Sequence, residues 1–273
     1  AFREAIAREV RKELMNPEFD ARRSKNGGRV FWVKLATATG FGQFVKEHPP
    51  YDDNIAAVHE TLSSAVGAVV ANRGDEVRVT AGFAEPLGDT FWLSVAGVRW
   101  IGEGSGLSVP TLTISNAVNG IGMSSNSNEF ENFRIEPGSV DTILSMIKVK
   151  GAGCKVQNIV GVGSTDGGSK GLKNFVDCII VGKGANDLTL NDIHLTSGPV
   201  PVTQFLNFEC PISRFTSAGF YATGSVATAG VVDASGARQQ QSVISDWRIA
   251  VGGAAKPAVT LDTAQSEGIV TNC

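Results

Sequence analysis

By residue type, four carboxylates in this 273-residue chain are the best candidates for chemistry: Asp166, Asp187, Asp192 and Glu209. Glycosidic hydrolysis needs two such groups, one acid and one base or nucleophile. A lyase needs a base and a cation that holds the uronate. Asp187 and Asp192 flank a short strand and are the pair that would carry catalysis. Aspartates at such places also serve turns and caps, and that reading leads here. His48, His59 and His194 are far apart, and no Ser or Cys has a partner base. No paired-Cys or helical two-His spacing is present, so neither a metal nor a cofactor is expected. The run Gly161-Val-Gly-Ser-Thr-Asp-Gly-Gly-Ser-Lys170 lacks the Gly-Lys-Ser/Thr ending of a phosphate loop and reads as a surface loop.

The elements that must position these groups start near Asp53. Asp53 or Asn54 can cap a helix, and Ile55, Val58, Leu62, Val66 and Val69 form one apolar stripe up to Gly74. The spacing predicts a capping helix over 51–74. Short strands follow at Val77–Thr80, Phe91–Leu93, Val98–Ile101 and Thr111–Ile114, separated by Gly, Pro and Asp. Further on, one pattern recurs: apolar, any, Asn or Asp (once Arg), apolar. Its polar member falls at Asn132, Asn158, Asp177, Asp192, Arg214, Asp246 and Asn272. Such a repeat describes coils that cannot bury their apolar side alone and must stack. The Asn would sit at the bend, satisfying backbone groups and stacking on the Asn above. The next residue would point inward: Phe133, Ile159, Cys178, Ile193, Phe215, Trp247 and Cys273. The step to Asp177 is short, so that copy is expected on a different side. Cys154 and Cys210 would share a second inward column.

Ahead of the coils, residues 1–15 read as an amphipathic helix with Phe2, Ile6, Val10 and Leu14 on one face. Asn16-Pro17 ends it. Arg22, Arg23 and Lys25 belong to a basic stretch, Val30–Ala36 to a strand, and Gly40–Val45 to a second strand. Residues 1–50 are thus expected to form a docking arm outside the solenoid, which would occupy 51–273.

Bulk properties narrow the function classes. A net charge of −3 gives no electrostatic case for nucleic acid. No apolar run reaches a membrane span, and the start at Ala1-Phe2-Arg3-Glu4 has no apolar signal core, so no secretion signal is expected. The four cysteines are too sparse for a disulfide scaffold and are expected as reduced thiols. The last motif opens at Val270, so a further C-terminal region or another subunit is expected to cover that edge.

A helix, then Gly74-Asp-Glu-Val-Arg-Val-Thr-Ala-Gly82, then Val98-Arg-Trp-Ile-Gly-Glu-Gly104 and Pro110-Thr-Leu-Thr-Ile-Ser115 resembles the first coils of the pectate-lyase-like right-handed parallel β-helices. The resemblance implies an all-β solenoid with an N-terminal capping helix. It does not bring the catalytic motifs: Asn-Thr-Asp, paired Asp-Asp, Gly-His-Gly and Arg-Ile-Lys are missing, and Leu261-Asp262-Thr263 lacks the Gln of the esterases. Arm, plug and solenoid together resemble tailed-bacteriophage virion proteins. The expectation is a non-enzymatic capsid decoration or spike, assembled in the host cytoplasm into the virion. It would be a homotrimer that docks on capsid or tail proteins through Phe2, Ile6, Val10, Leu14, Arg22, Arg23 and Lys25. The alternatives are a polysaccharide lyase or hydrolase tailspike using Asp187 and Asp192, and a glycan-binding adhesin. The adhesin would show exposed aromatics on one strand face.

Overall fold

A computed structural model describes residues 24, 27–138, 142–163, 174–197, 201–233, 239–252, 257–260 and 268–271. The chain is a parallel β-solenoid of about seven turns, about 50% strand and 7% helix. In order, the elements are β1 (Val30–Val33), α1 (Phe41–Glu47), β2 (Val58–His59), α2 (Leu62–Val66), β3 (Glu76–Val79), β4 (Ala84–Leu87) and β5 (Phe91–Leu93). Next come β6 (Arg99–Gly102), β7 (Thr111–Ile114), β8 (Asn119–Met123), β9 (Glu129–Pro137), β10 (Thr142–Val149), β11 (Lys155–Val162), β12 (Asn174–Val181) and β13 (Thr189–Thr196). The last are β14 (Gln204–Phe208), β15 (Ile212–Ser213), β16 (Thr216–Ser225), β17 (Val231–Asp233), β18 (Gln239–Gln240), β19 (Ser242–Gly252), β20 (Val259–Thr260) and β21 (Gly268–Thr271).

Each full coil has three walls. Wall A stacks β3, β6 and the first legs of β9, β11, β13, β16 and β19. Wall B stacks β4, β7 and the second legs of the same long strands. Wall C is a separate seven-stranded sheet running from β5 through β8, β10, β12, β14 and β17 to β20. Every strand pair is parallel, so each strand interior is buried and each outer face is solvated or covered by side chains.

Two columns of left-handed residues make the corners. Between walls C and A stand Gly97, Ser127, Gly153, Asp187, Arg214 and Gln241, all with positive φ. Between walls A and B stand Asn132, Asn158, Asp192, Gly219 and Asp246. The register aligns the second set, since Gln157 pairs with Asn191, Ala218 with Ser245, and Ile159 with Ile193. Asn, Asp and Gly tolerate this conformation best. The Asn ladder works as its chemistry requires. Asn158 Nδ2 donates to Asn132 Oδ1 at 2.7 Å, and Asn132 Nδ2 donates to the Gly102 carbonyl at 2.6 Å. Gly102 must be glycine, because a Cβ there would lie 2.0 Å from the Asn132 carbonyl oxygen.

Among the described residues the repeat therefore marks coil corners, with two members assigned elsewhere; Asn272 lies outside the described residues. Asp177 lies in β12 on wall C, the different side that its short step implied. Arg214 belongs to the C–A corner rather than the A–B corner, and Gly219 takes its place in the Asn column. A coil here is 26 or 27 residues long: Asn132 to Asn158 is 26 and Asp187 to Arg214 is 27. Phe133, Ile159, Cys178, Ile193, Phe215 and Trp247 are all buried, while Cys273 lies outside the described residues.

The N-terminal part departs from the sequence expectation in three ways. First, the helix expected over 51–74 is one turn, Leu62–Val66, capped by Thr61 with a reciprocal Ser64 contact. Upstream of it, Val58–His59 pairs with β1, and the backbone N–H groups of Trp32 and of Lys34, just after β1, donate to the Ala57 and His59 carbonyls. Strand pairing with a neighbour thus overrides an apolar period that fitted a helix. Leu62 and Ala65 remain buried in the core. Second, Gly40–Val45 is not a strand: Phe41–Glu47 is helical, and Phe44 and His48 pack on the outward Trp32 ring at 5.5 and 5.2 Å. Third, the 1–50 boundary cuts through the sheet. β1 pairs with β3 from Val30–Glu76 to Val33–Val79, so it is an added rung of wall A. Phe2, Ile6, Val10, Leu14, Arg22, Arg23 and Lys25 lie outside the described residues.

The cysteines are free thiols at 154, 178 and 210. Cys154 and Cys210 do not share a column. Cys154 follows the left-handed Gly153 and sits at the level of Leu188 and Phe215, whereas Cys210 is half-exposed beyond the end of β14. Burial pushes the Cys154 thiol up to about 11 and raises Cys178 further. A thiolate is the reactive form. In a Cys273→Ser background at pH 8, a maleimide should label Cys210 and leave Cys154 and Cys178 unmodified until denaturant is added. Rapid native labelling of three sites, read by mass, would contradict the buried placement.

Candidate functional site

The groups that sequence reasoning selected are scattered by the coils. Asp187 occupies the C–A corner and Asp192 the A–B corner, at opposite ends of the Thr189–Asn191 leg. Asp187 is paired with the next coil: Arg214 Nη2 donates to its Oδ2 at 2.6 Å, and Arg214 Nε to its Oδ1. The Arg214 hydrogen bonds hold the Asp187 carboxyl below its ordinary range. Asp192 is exposed and stands over Gly219, where an added Cβ would lie 2.7 Å from its Oδ1. The two acids therefore do not converge on one bond. Asp166 lies outside the described residues. Among the described residues no group of His, Cys, Asp and Glu is arranged to hold a metal ion.

Glu209 does join a cluster, on wall C, with residues that sequence reasoning did not single out as a site. Its Oε1 accepts from Lys148 Nζ at 3.0 Å. Asp177, 7% exposed, accepts from Asn207 Nδ2 at 3.0 Å, and its Oδ1 has no partner. Burial raises the Asp177 pKa; the Asn207 and Gln204 bonds oppose this, and the nearby Glu209 charge adds to it. The signal in the sequence was the out-of-step repeat member at 177. Farther up the same wall, the Trp92 indole lies flat over Gly122, where a Cβ would come within 2.3 Å of the ring.

Wall A carries a ladder of alternating charge. Glu76, Arg99, Glu129 and Lys155 are register partners on successive coils. Arg99 donates to Glu76 and Glu129 at 2.6 and 2.7 Å, and Lys155 donates to Glu129 at 2.7 Å. Burial would raise the Glu129 pKa, but the Lys155 and Arg99 bonds outweigh it and the net shift is downward. Opposite charges directly across strands stabilise a sheet, so the ladder ties four coils together.

Wall B bears an open cleft of about 530 Å³, lined among others by His194, Thr196, Tyr221, Thr223, Arg248 and Ala250. His194, Tyr221 and Arg248 are register neighbours on β13, β16 and β19. The His194 and Tyr221 rings stack at 4.7 Å, and the Arg248 guanidinium lies 5.9 Å from the Tyr221 centroid.

No family model matches this chain, and neither a curated protein nor a solved structure is significantly similar to it. The functional reading therefore rests on the fold and on these surfaces.

Proposed function

We propose that this chain is a non-enzymatic structural solenoid of a tailed-phage virion, a capsid decoration or spike of the right-handed pectate-lyase-like type. One observation carries the structural reading: polar side chains at the corners and along wall A are engaged with neighbouring coils. Asn158 bonds Asn132, Arg214 bonds Asp187, Asn186 Oδ1 accepts from Ser213 N at 2.9 Å, and Asn126 Oδ1 accepts from Ala152 N at 3.0 Å. Such contacts repeat down the axis and make a stiff rod. A rod of this kind suits a scaffold that must hold its shape on a particle. The virion setting is supported by the resemblance of residues 54–115 and by the spacing of Phe2, Ile6, Val10 and Leu14. The placement of Asp187 and Asp192 on different corners weighs against the hydrolase and lyase alternatives that would use them as a pair.

The docking test must respect where the fold begins. Ser24 Oγ donates to the Gly74 carbonyl, and Arg29 N donates to Asp75 Oδ1 at 2.9 Å. Removing residues 1–30 would therefore damage the first coil. Removing residues 1–23 should leave the β signal in circular dichroism unchanged and abolish co-sedimentation with purified particles. Retention of the truncated, folded chain on particles would sink the docking role; its absence from purified virions, by mass spectrometry, would sink the virion assignment. A trimeric native mass is expected of the full chain.

A further inference from the structure

We infer that a second cavity, at the first coil between α2 and the bend joining β4 to β5, is a binding site for a primary alkylammonium group, with Glu85 and Asp89 as its anions and an apolar wall for the methylene stem. The proposal goes beyond the structural reading above and does not depend on it.

The starting point is a carboxylate in a core column. The wall B register runs from Glu85 through Leu112, Ile135, Gly161 and Leu195 to Ala222. Every member after Glu85 is buried and uncharged. On the first rung the column meets α2, and Glu85 Oε2 accepts from Leu62 N at 3.0 Å. A neutral acceptor would serve that N–H as well, so the bond does not call for a charge. Oε1 accepts no hydrogen bond among the described residues. Burial raises the Glu85 pKa and the Leu62 bond opposes this. A desolvated carboxylate is relieved by a cation brought close to it, yet among the described residues neither Glu85 nor Asp89 forms an ion pair.

Both acids line one open cavity of about 380 Å³, Glu85 at half-buried depth and Asp89 exposed on the bend. None of the lining residues is basic. Lys150 lies over the Trp92 ring at 5.8 Å and pairs with neither acid.

The lining specifies the cation. A bare metal ion would leave most of the space unfilled, and no third His, Cys, Asp or Glu among the described residues joins the two acids. Val66, Pro86, Leu87 and Phe91 offer apolar surface to a methylene stem. A guanidinium fork is matched by both oxygens of a carboxylate, and Glu85 has committed one of them to Leu62. An ammonium is a point charge and needs only the other. A free diamine and a lysine side chain of a partner protein both carry this group. They differ at Asp89, where only the diamine has a second charge to pair.

The test titrates the full chain by calorimetry with the diamine cadaverine and with the Nα-acetyl amides of lysine, arginine and norleucine. Cadaverine or the lysine amide should bind, more weakly in added salt, and the arginine and norleucine amides should bind at least tenfold more weakly. Cadaverine binding at least tenfold tighter than the lysine amide, with that margin lost in Asp89→Asn, marks a free diamine; affinities within tenfold of each other mark a lysine side chain. Glu85→Gln keeps an acceptor for Leu62 N and should weaken ammonium binding at least tenfold, as should Asp89→Lys. Asp192→Asn, an exposed acid on another corner, should change nothing. The proposal is overturned if neither ammonium ligand binds at millimolar concentration, if Glu85→Gln or Asp89→Lys binds like the parent, or if the arginine or norleucine amide matches the lysine amide. Glu85→Gln removes an unpaired charge and should melt no lower than the parent. If it does not fold, Asp89→Lys, at an exposed position, decides.

Discussion

Replacing Asp75 with alanine is expected to destabilise the first coil by about 3–5 kcal/mol, the range for removing one partner of a buried ion pair. Asp75 is completely buried, yet its carboxylate is saturated. Oδ1 accepts from Arg29 N at 2.9 Å and Arg73 Nε at 2.6 Å; Oδ2 accepts from Val70 N at 2.7 Å and Arg73 Nη2 at 2.6 Å. One side chain therefore joins the segment before β1, the segment after α2 and the start of β3. Its removal also takes the acceptor from two part-buried backbone N–H groups, those of Arg29 and Val70, which adds to the loss. A solenoid transmits such damage only to its neighbours. Hydrogen exchange should consequently rise in β1, β2 and β3 and stay low in β11, β13 and β16. Asp53, whose pair with Arg29 is exposed at 2.8 Å, is the contrast: Asp53→Ala should have a far smaller effect. If both variants show the same urea midpoint as the parent, Asp75 is not the tie that its bonds describe.

Phe133→Ala is the second large effect, expected to cost about 3–5 kcal/mol, as for other buried aromatic truncations. Phe133 is fully buried and stacks on Phe130 with ring centroids 4.3 Å apart and planes 6° from parallel. It opens the inward column Phe133, Ile159, Ile193, Phe220 and Trp247. Phe133 also follows the left-handed Asn132, so the ring anchors the corner that the Asn ladder holds from outside. Alanine would leave a cavity bounded by rigid neighbouring coils, and walls hydrogen-bonded on both sides cannot collapse into it. The check is a urea titration by intrinsic fluorescence. Phe133→Leu should recover most of the loss, because an apolar side chain of nearer volume refills the space. An alanine variant within 1 kcal/mol of the parent would mean the core relaxes there.

Much of the architecture was legible because stacking imposes local demands that repeat. A corner needs a residue that accepts positive φ, so Asn132, Asn158, Asp192 and Asp246 recur, each followed by an apolar residue. The same rule hid one corner: Gly219 fills the column without leaving a polar signature. Arg214 misled in the opposite direction, since its motif matched but its left-handed backbone serves the other corner. The helix over 51–74 failed for a different reason. Its apolar period was genuine, but Val58 and His59 found partners on β1, and a strand pairing at a sheet edge offers hydrogen bonds that a short isolated helix does not match.

The sites were far less legible than the fold. Asp187 and Asp192 are near neighbours in sequence yet stand on different corners, while Lys148 and Glu209, 61 residues apart, form a pair at 3.0 Å. By itself, the sequence determined that the chain coils, where most of the bends between walls A and B fall, and which residues follow those bends into the core. These properties depend on backbone conformation and on the alternation of apolar side chains, which act over a few residues. Only the tertiary structure decided which polar groups meet, because that depends on the register between coils and on the length of each connecting loop. A shift of one residue in any loop would rotate a different set of side chains into contact. That is why the cleft of His194, Tyr221 and Arg248, drawn from three separate coils, had no mark in the linear order.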